Sequence, residues 1–484
     1  MFNFNSSINQ LSDEEIILLD IEEFNVSPKR QLMLDGQKYY EAENDILQRQ
    51  ILVPTDDNTV EVDESKANNK LVHAFMKNLV DEKVAYLLSK PFSLDGEDTN
   101  YIDKVKAALG KDLQYDLSNT GTEASNKGLS WWYVYINSDG KFAYMQIPTE
   151  QCVPIWTDNS HKDLQAMIRY YIQIVYQGRI RTEVTKVEYY TSDSVSYYVL
   201  DGNELIYDIA AEPEGGPVPH YKQGEEGKSW GKVPFIAFKN NPSEIPDLKY
   251  VKTLIDDYDL RRSDISNILE ECKNYITVLK NYGGQDLAEF LRDLNYYRAI
   301  KIDDDGGVDT LTPDINIDAA KLHIEQTKRD INEFGQSVTK DLDKIGSSPS
   351  GVALKFLYSG LDLKCNKLEL EFKRAWNQLL YFVNIYLSDT SQGNYSNSDL
   401  DIVFSRDIVI NENDTINNCS TSEGIISSRT IVANHPWVKD VDKELKQLDQ
   451  EQKKKIQQNQ AAFQMPMNTD TNTNSNNAPE NVDG

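Results

Sequence analysis

The sequence predicts an α+β fold, mainly helical, with a β-rich N-terminal region ahead of a long helical half. Three observations carry that reading. An aromatic block across residues 129–208 alternates in the manner of pleated strands. Two amphipathic stretches, residues 247–280 and 315–344, flank a compact insertion of about 30 residues. An apolar stripe then runs by 3- and 4-residue steps through residues 352–387, which as one helix would be roughly 50 Å long at 1.5 Å per residue.

Each element has its own signal. Residues 12–50 read as helix punctuated at Pro28 and Gly36, and residues 56–69 as a polar loop. From Asn69, Leu71, Phe75, Leu79, Val84 and Leu87 recur at helical spacing. Lys90-Pro91 ends that run, because a residue before proline avoids the α region. Residues 131–136, the turn Asn137-Ser138-Asp139-Gly140 and residues 141–147 make a hairpin signal. Residues 165–176, 182–190 and 196–200 continue the strand pattern, while residues 211–231, rich in Gly, Pro, Glu and Lys, read as an exposed loop.

Beyond Pro246 the period changes to that of a helix. Val251, Leu254, Tyr258, Ile265, Ile268 and Cys272 share one face, and Asn281-Tyr282-Gly283-Gly284 breaks the run. A short helix near residues 287–294, a strand at 299–302 and the turn Asp303-Asp304-Asp305-Gly306-Gly307 read as a small α/β insertion. Ile317, Ile324, Ile331, Phe334, Val338 and Leu342 mark a second amphipathic helix, which Gly346-Ser347-Ser348-Pro349-Ser350-Gly351 interrupts. In the long helix that follows, the stripe is Leu354, Leu357, Leu361, Cys365, Leu368, Phe372, Trp376, Leu379 and Val383, with Gly360 as a kink position. A strand at 402–404 and a charged helix at 440–457 come next. The remaining residues, Gln-, Asn-, Thr- and Pro-rich with few apolar side chains, read as disordered.

Composition excludes several functions. With 50 Lys and Arg against 78 Asp and Glu, the formal net charge is −28, so static binding to phosphates by charge neutralisation is disfavoured, as is binding to anionic membranes. The four cysteines, Cys152, Cys272, Cys365 and Cys419, lack CxxC spacing and read as reduced thiols, with no zinc site. The acidic first twenty residues lack the basic start of a signal peptide, and no apolar run approaches a membrane span, so the chain reads as soluble and cytoplasmic when made.

Enzymatic chemistry has no visible carrier, and no cofactor is expected. Gly227-Lys228-Ser229 resembles the end of a phosphate-binding loop, but Lys222 stands where that loop needs its first glycine. Asp303-Asp304-Asp305-Gly306 resembles part of a calcium loop, but Lys301 breaks the alternation of oxygen ligands. Neighbouring acids such as Glu14-Glu15, Glu22-Glu23 and Asp256-Asp257 diverge by about 100° on a helix and read as solvated faces. His73, His161, His220, His323 and His435 occur singly, away from any nucleophile motif, and read as structural or exposed. Trp131, Trp132, Tyr133 and Tyr135 read as core or interface aromatics.

Several short phrases follow one another in a set order along the chain. Tyr39-Tyr40 precedes Asp45-Ile46-Leu47 and Arg49; Asn68-Asn69-Lys70-Leu71 leads to Leu79-Val80-Asp81, Tyr86 and Lys90-Pro91. Lys232-Val233-Pro234-Phe235-Ile236, Asn240-Asn241 and Asp257-Tyr258-Asp259 follow. Gly424-Ile425-Ile426-Ser427, Thr430, Pro436-Trp437-Val438, Asp440 and Glu444 complete the series, and in this order the phrases resemble the portal family of long-tailed bacteriophages over residues 39–451.

The resemblance implies a portal fold with wing, helical stem, small α/β clip and α-helical crown, assembled as a ring. Residues 1–246 would be the N-terminal region and β-rich wing, 247–281 and 315–341 the stem helices, and 282–314 the clip. Residues 342–351 would be the tunnel loop, 352–388 the long wing helix, 389–456 the wing end and crown, and 457–484 a disordered tail. Lys340, Lys344, Gly346, Ser347, Ser348, Pro349, Ser350 and Gly351 are the implied tunnel-loop residues. Gly283, Gly284, Asp303, Asp304, Asp305 and Gly306 are the implied docking residues of the clip.

By the same resemblance the chain is a virion component at one capsid vertex, and a host-cytoplasmic protein during assembly. Its partners are further copies of itself, passing double-stranded DNA, the terminase large subunit, head-completion adaptors, scaffold and the major capsid protein. Twelve copies at −28 each would carry about −336 formal charges. A mostly repulsive wall keeps DNA mobile, with Lys340 and Lys344 beside Asp341 and Asp343 for weak contacts, or paired with those acids. A multimeric scaffold that passes no DNA, and an enzyme with two converging acids, are the competing readings.

Overall fold

The computed structural model describes residues 11–54, 59–271, 276–280, 307–311, 317–338, 351–406, 412–438 and 440–463, with Asp286, Arg292 and Tyr296. It is a mixed α/β structure that divides into two units, residues 1–408 and 409–484. The first unit opens with helices α1 (Asp13–Val26) and α2 (Pro28–Tyr40), divided at Ser27. Ser27 accepts the Arg30 amide through its hydroxyl, and Pro28 occupies the first helical position, where no amide partner is needed. Gly36 does not punctuate. It lies inside α2, where a Cβ would stand 1.8 Å from the Asn126 carbonyl oxygen, so the glycine permits close helix contact.

Strands β1 (Leu52–Pro54) and β2 (Val60–Val62) pair antiparallel, and β2 lies within residues 56–69, which were expected to be loop. Helix α3 (Phe75–Leu88), strand β3 (Ser93–Asp95), and helices α4 (Thr99–Leu109) and α5 (Leu113–Lys127) follow. The sequence reading did not foresee α4 and α5. α4 carries readable signals in its Asp98 cap, the buried Tyr101, Val105 and Leu109, and Gly110 at its end. α5 does not: it is rich in Ser, Thr, Asn and Gly, and tertiary packing overrides that weak propensity. Its small residues let neighbours approach, and a Cβ on Gly121 would sit 2.4 Å from Leu88.

Strands β4 (Leu129–Ile136), β5 (Phe142–Ile147), β6 (Cys152–Trp156), β7 (Leu164–Gln177), β8 (Ile180–Tyr190), β9 (Val195–Asp201), β10 (Glu204–Tyr207), β11 (Tyr221–Gln223), β12 (Glu226–Lys228) and β13 (Phe235–Lys239) build the β-rich part. β13-β4-β5 make one antiparallel sheet and β10-β9-β8-β7-β6 another. The period-2 alternation of β4 uses both faces. Trp132, Val134, Ile236 and Phe238 belong to the large helical core, while Leu129, Trp131 and Phe235 belong to a second core with Met167 and Tyr190. The three-stranded sheet therefore divides two hydrophobic layers, and Trp132 donates its indole N–H to Thr120 Oγ1 at 2.7 Å.

The segment expected to be an exposed loop, 211–231, contains the β11–β12 hairpin and Trp230, which is 1% exposed. Glycine and charge density masked one large aromatic, whose burial against Phe142, Tyr221 and Phe382 pins the segment.

A 3-10 turn at Asp247–Tyr250 leads into α6 (Lys252–Glu271), then β14 (Ile276–Lys280), which pairs with β15 (Gly307–Leu311). The helix expected through Lys280 thus ends earlier. Ile276, Thr277 and Val278 are β-branched or β-favouring, and join a ladder with a distant strand. Helix α7 (Ile317–Phe334) also stops short of the expected Lys344. Gln336 takes φ +55° while the Ser337 amide bonds back to the Asn332 carbonyl at 2.9 Å, a left-handed helix stop.

Helix α8 (Gly351–Asp389) is the expected long helix. Its stripe, from Leu361 through Cys365, Leu368, Phe372, Trp376 and Leu379 to Val383, is buried in the large core of the same chain. Strand β16 (Asp401–Val403) pairs with β3, and Trp376 donates to the Leu400 carbonyl at 2.8 Å.

The second unit holds α9 (Glu412–Thr421), α10 (Ser428–Asn434) and α11 (Val441–Phe463). Ser427 caps α10 by accepting the Thr430 amide at 3.3 Å, and Arg429 pairs with Asp442 at 3.1 Å. α11 outruns the expected end at Gln457. Gln457, Gln458, Ala461 and Ala462 are good helix formers and extend it, so those residues are not part of a disordered tail. The rest of that expected tail, 464–484, lies outside the described residues.

Candidate functional site

Helices α6 and α7 lie side by side, joined at one end by the β14–β15 ladder and at the other to the body of the first unit. They carry six acids to three bases and four acids to three bases respectively. Between them His323 Nε2 lies 2.7 Å from Asp257 Oδ2. The end of the pair that meets the body is held by a buried charge cluster.

At the root, Asp247 is buried between two lysines. Lys83 of α3 reaches Asp247 Oδ2 at 3.1 Å, and Lys364 of α8 reaches the same oxygen at 2.9 Å. Asn240 donates to Asp247 Oδ1 at 2.9 Å, while Lys83 also donates to Ser125 Oγ at 3.1 Å and to Asn240. Burial alone would raise the Asp247 pKa, but the Lys364 and Lys83 charges and the Asn240 bond outweigh it and bring it to about 2. Burial pulls Lys83 below the usual lysine range, partly offset by Asp247. Lys364 donates in addition to the Gly335 carbonyl at 3.0 Å, at the end of α7. One charged cluster thereby fixes the start of α6 and the end of α7 to α3 and α8.

Beyond Gly335 the chain is clamped once more. Glu82 of α3 accepts the Ser337 hydroxyl and the Val338 amide, the latter at 3.3 Å. A Cβ on Gly335 would stand 2.6 Å from the Ile331 carbonyl oxygen and 2.8 Å from Leu79, so this exit favours glycine.

Along its length α6 is stitched to the segment that precedes α3. The amides of His73, Leu71 and Asn69 donate to Asp259, Ser263 and Asn267 at 3.1, 2.9 and 2.6 Å. Alternate residues of an extended chain advance about 6.6 Å, and helix positions four apart about 6 Å, so the two rows stay in step. Further along, Lys252 bonds Tyr39 at 3.0 Å and Asp256 at 3.0 Å, and Arg49 bonds Asp264 at 2.6 Å. The phrases at 39–49, 68–71 and 257–259, far apart in sequence, therefore meet on one face of α6.

Of the tunnel-loop residues, Lys340, Lys344, Gly346, Ser347, Ser348, Pro349 and Ser350 lie outside the described residues, and Gly351 is the first residue of α8. Gly283, Gly284, Asp303, Asp304, Asp305 and Gly306 of the implied clip also lie outside them. Sequence reasoning passed over Lys83, Asp247 and Lys364, and named Asp259 only within a family phrase. A lysine amid the apolar run of α3, at a position whose helical neighbours Leu79, Val80 and Leu87 are all core, was the available signal. The histidines stand apart: His73 meets Asp259, His161 meets Glu244 at 2.8 Å, and His220 accepts the Trp230 amide at 3.2 Å. Among the described residues there is no group of three or more potential metal ligands, and no helix long and apolar enough to cross a membrane.

A family model described as "Phage portal protein, SPP1 Gp6-like" matches residues 28–458. The portal protein of Bacillus phage SPP1 is 32% identical over 444 residues, covering 91% of this chain and 86% of that protein. The portal protein of Clostridium phage phiCD119 is 32% identical over 443 residues, covering 88% and 93%. Among solved structures, a chain of the neck of a native GTA particle computed with C12 symmetry is 8% identical, with a TM-score of 0.35 over 74% of this chain and 87% of that one. With a family model matching residues 28–458 and relatives matching along about nine-tenths of its length, the chain belongs to the phage portal protein family.

Proposed function

We propose that the chain is one subunit of a ring-shaped DNA conduit at a capsid vertex, with α6 and α7 as its stem. The observation that carries this is the root cluster of Lys83, Asp247 and Lys364, which ties the start of α6 and the end of α7 to α3 and α8. On this reading the β14–β15 ladder opens the clip, where the terminase large subunit docks during packaging and head-completion adaptors dock afterwards. The tunnel loop is residues 342–351, beyond the Glu82 clamp at Val338, and α8 is the long wing helix. Scaffold and major capsid protein meet the outer rim, and α9–α11 belong to the crown. Portal proteins are structural virion components, so motor ATPase chemistry resides in the docked partner.

The acidic balance of the chain and of both stem helices supports passage without capture. Each phosphate contact would resist movement of a long duplex, and an excess of acids keeps such contacts few. The test is negative-stain electron microscopy with native mass on the purified full chain. Rings with a pore wider than a duplex, about 20 Å, are expected. A monomer at raised concentration and in the presence of scaffold would overturn the reading.

A further inference from the structure

β7 and β8 extend well beyond the sheet that anchors them. They pair from Met167↔Tyr190 to Gln177↔Ile180, yet β6 pairs β7 only as far as Arg169 and β9 pairs β8 only as far as Thr185. Residues 173–177 and 180–184, with Ile172 at their base, therefore stand out as a two-stranded arm about 17 Å long. α1 covers one face of the inner part: Ile17 and Ile21 pack with Ile168 and Val187, and Tyr170 donates its hydroxyl to Asn25 at 2.8 Å near the end of the helix. The same face continues outward uncovered, where Ile172, Ile174 and Tyr176 are 63%, 46% and 69% exposed. Two strands alone are marginal in water, and a bare apolar row with free edges invites a partner.

α1 has the complementary surface. Its side away from the sheet exposes Ile16, Leu19 and Val26, which are 42%, 51% and 84% accessible and share one helical face. Asp13, Glu14, Glu15, Asp20, Glu22 and Glu23 accompany them, and the helix has no base. The arm carries Arg179 and Arg181 against Glu183, a basic excess in a chain of net charge −28. A 14-residue helix is about 21 Å long, a little longer than the arm. Because the outer face of α1 points away from its own sheet, the arm of the same chain does not reach it.

We propose that the arm of one copy lies along the outer face of α1 of a neighbouring copy. Ile172, Ile174 and Tyr176 meet Ile16, Leu19 and Val26, and Arg179 and Arg181 face the α1 acids. Two different patches join, so the contact is head-to-tail and propagates around a ring instead of closing a dimer. The inference rests on the ring reading above and adds the surfaces that build the ring.

Leu19→Cys and Ile174→Cys chains, differently tagged and co-expressed to form mixed rings, test it. Ring formation is first checked by microscopy and native mass, and mild oxidation follows. A disulfide-linked dimer carrying both tags is expected, at least fivefold above a control pair of Ile174→Cys with Tyr115→Cys, whose residue is 68% exposed on α5. Arg179→Glu/Arg181→Glu rings should also dissociate at lower salt than unaltered rings. Rings that form normally without the specific cross-link would overturn the arm contact and leave the ring reading intact. Absence of rings in the unaltered protein would overturn both.

Discussion

His73 offers Asp259 two contacts at once, its backbone amide at 3.1 Å and its ring Nδ1 at 2.7 Å. Asn44 adds a third at 2.6 Å, and the Asp259 side chain has no solvent exposure. This is one of the fully buried stitches between α6 and the segment before α3. Replacing Asp259 with Ala strands three groups that folding has desolvated, a cost of about 3 kcal/mol, while Asn retains part of the set and costs less. Urea unfolding of the two variants, followed by tryptophan fluorescence, checks the order.

Asp247 is the one acid between two nearly buried lysines, so its loss and theirs are not equivalent. Asp247→Ala leaves Lys83 and Lys364 uncompensated and should cost about 3–5 kcal/mol. Adding Lys83→Met to that variant removes one of the stranded charges and should recover part of the loss. A double-mutant cycle in urea gives the answer, and simple additivity would show that the cluster does not act as a unit.

Acid should loosen the Asp247 root and, separately, the cluster of Glu244 with Lys29 and Lys239. Asp247 and Glu244 both titrate at about 2 in the folded chain, below their ordinary values. For each, burial opposes the shift, and Lys364 and Lys83, or Lys29 and Lys239, override it. A depressed carboxylate contributes stability that is whole above its unfolded pKa, near 4, and is lost as pH falls through the folded value. Stability from these two groups should thus hold down to about pH 4 and fall toward pH 2. Asp247→Asn with Glu244→Gln should flatten that limb in pH-stepped denaturation.

Gly36 and Asn126 meet backbone to side-chain position, where neither can move aside. Gly36→Ala would place a methyl 1.8 Å from the Asn126 carbonyl oxygen. A loss of about 3 kcal/mol is expected, seen as a lower thermal midpoint. Gly140→Ala, at φ +72° with open space around it, should cost only about 1 kcal/mol for its backbone conformation.

If 342–351 is the tunnel loop, its glycines supply the freedom to change shape as DNA passes. Gly346→Pro with Gly351→Pro should leave rings intact and impair packaging of DNA into heads. Normal packaging by such rings would remove the gating role.

Much of this protein was determined by local sequence. The 3.6-residue stripe of α8 and the alternation of β4, β7 and β8 are properties of neighbours along the chain, and they set element type without help. So did the charge balance, which disfavoured phosphate capture, and the ordered phrases that pointed to the family. The tertiary structure decided what depends on residues distant in sequence. α5 is helical because α2, α3 and β4 enclose its small polar residues. Ile276–Lys280 left the helical run because a strand some thirty residues on completes its ladder. The root cluster joins Lys83, Asp247 and Lys364, whose convergence no spacing encodes. A buried charge is tolerable only where the fold delivers its partner, so only the fold could reveal which charges were buried.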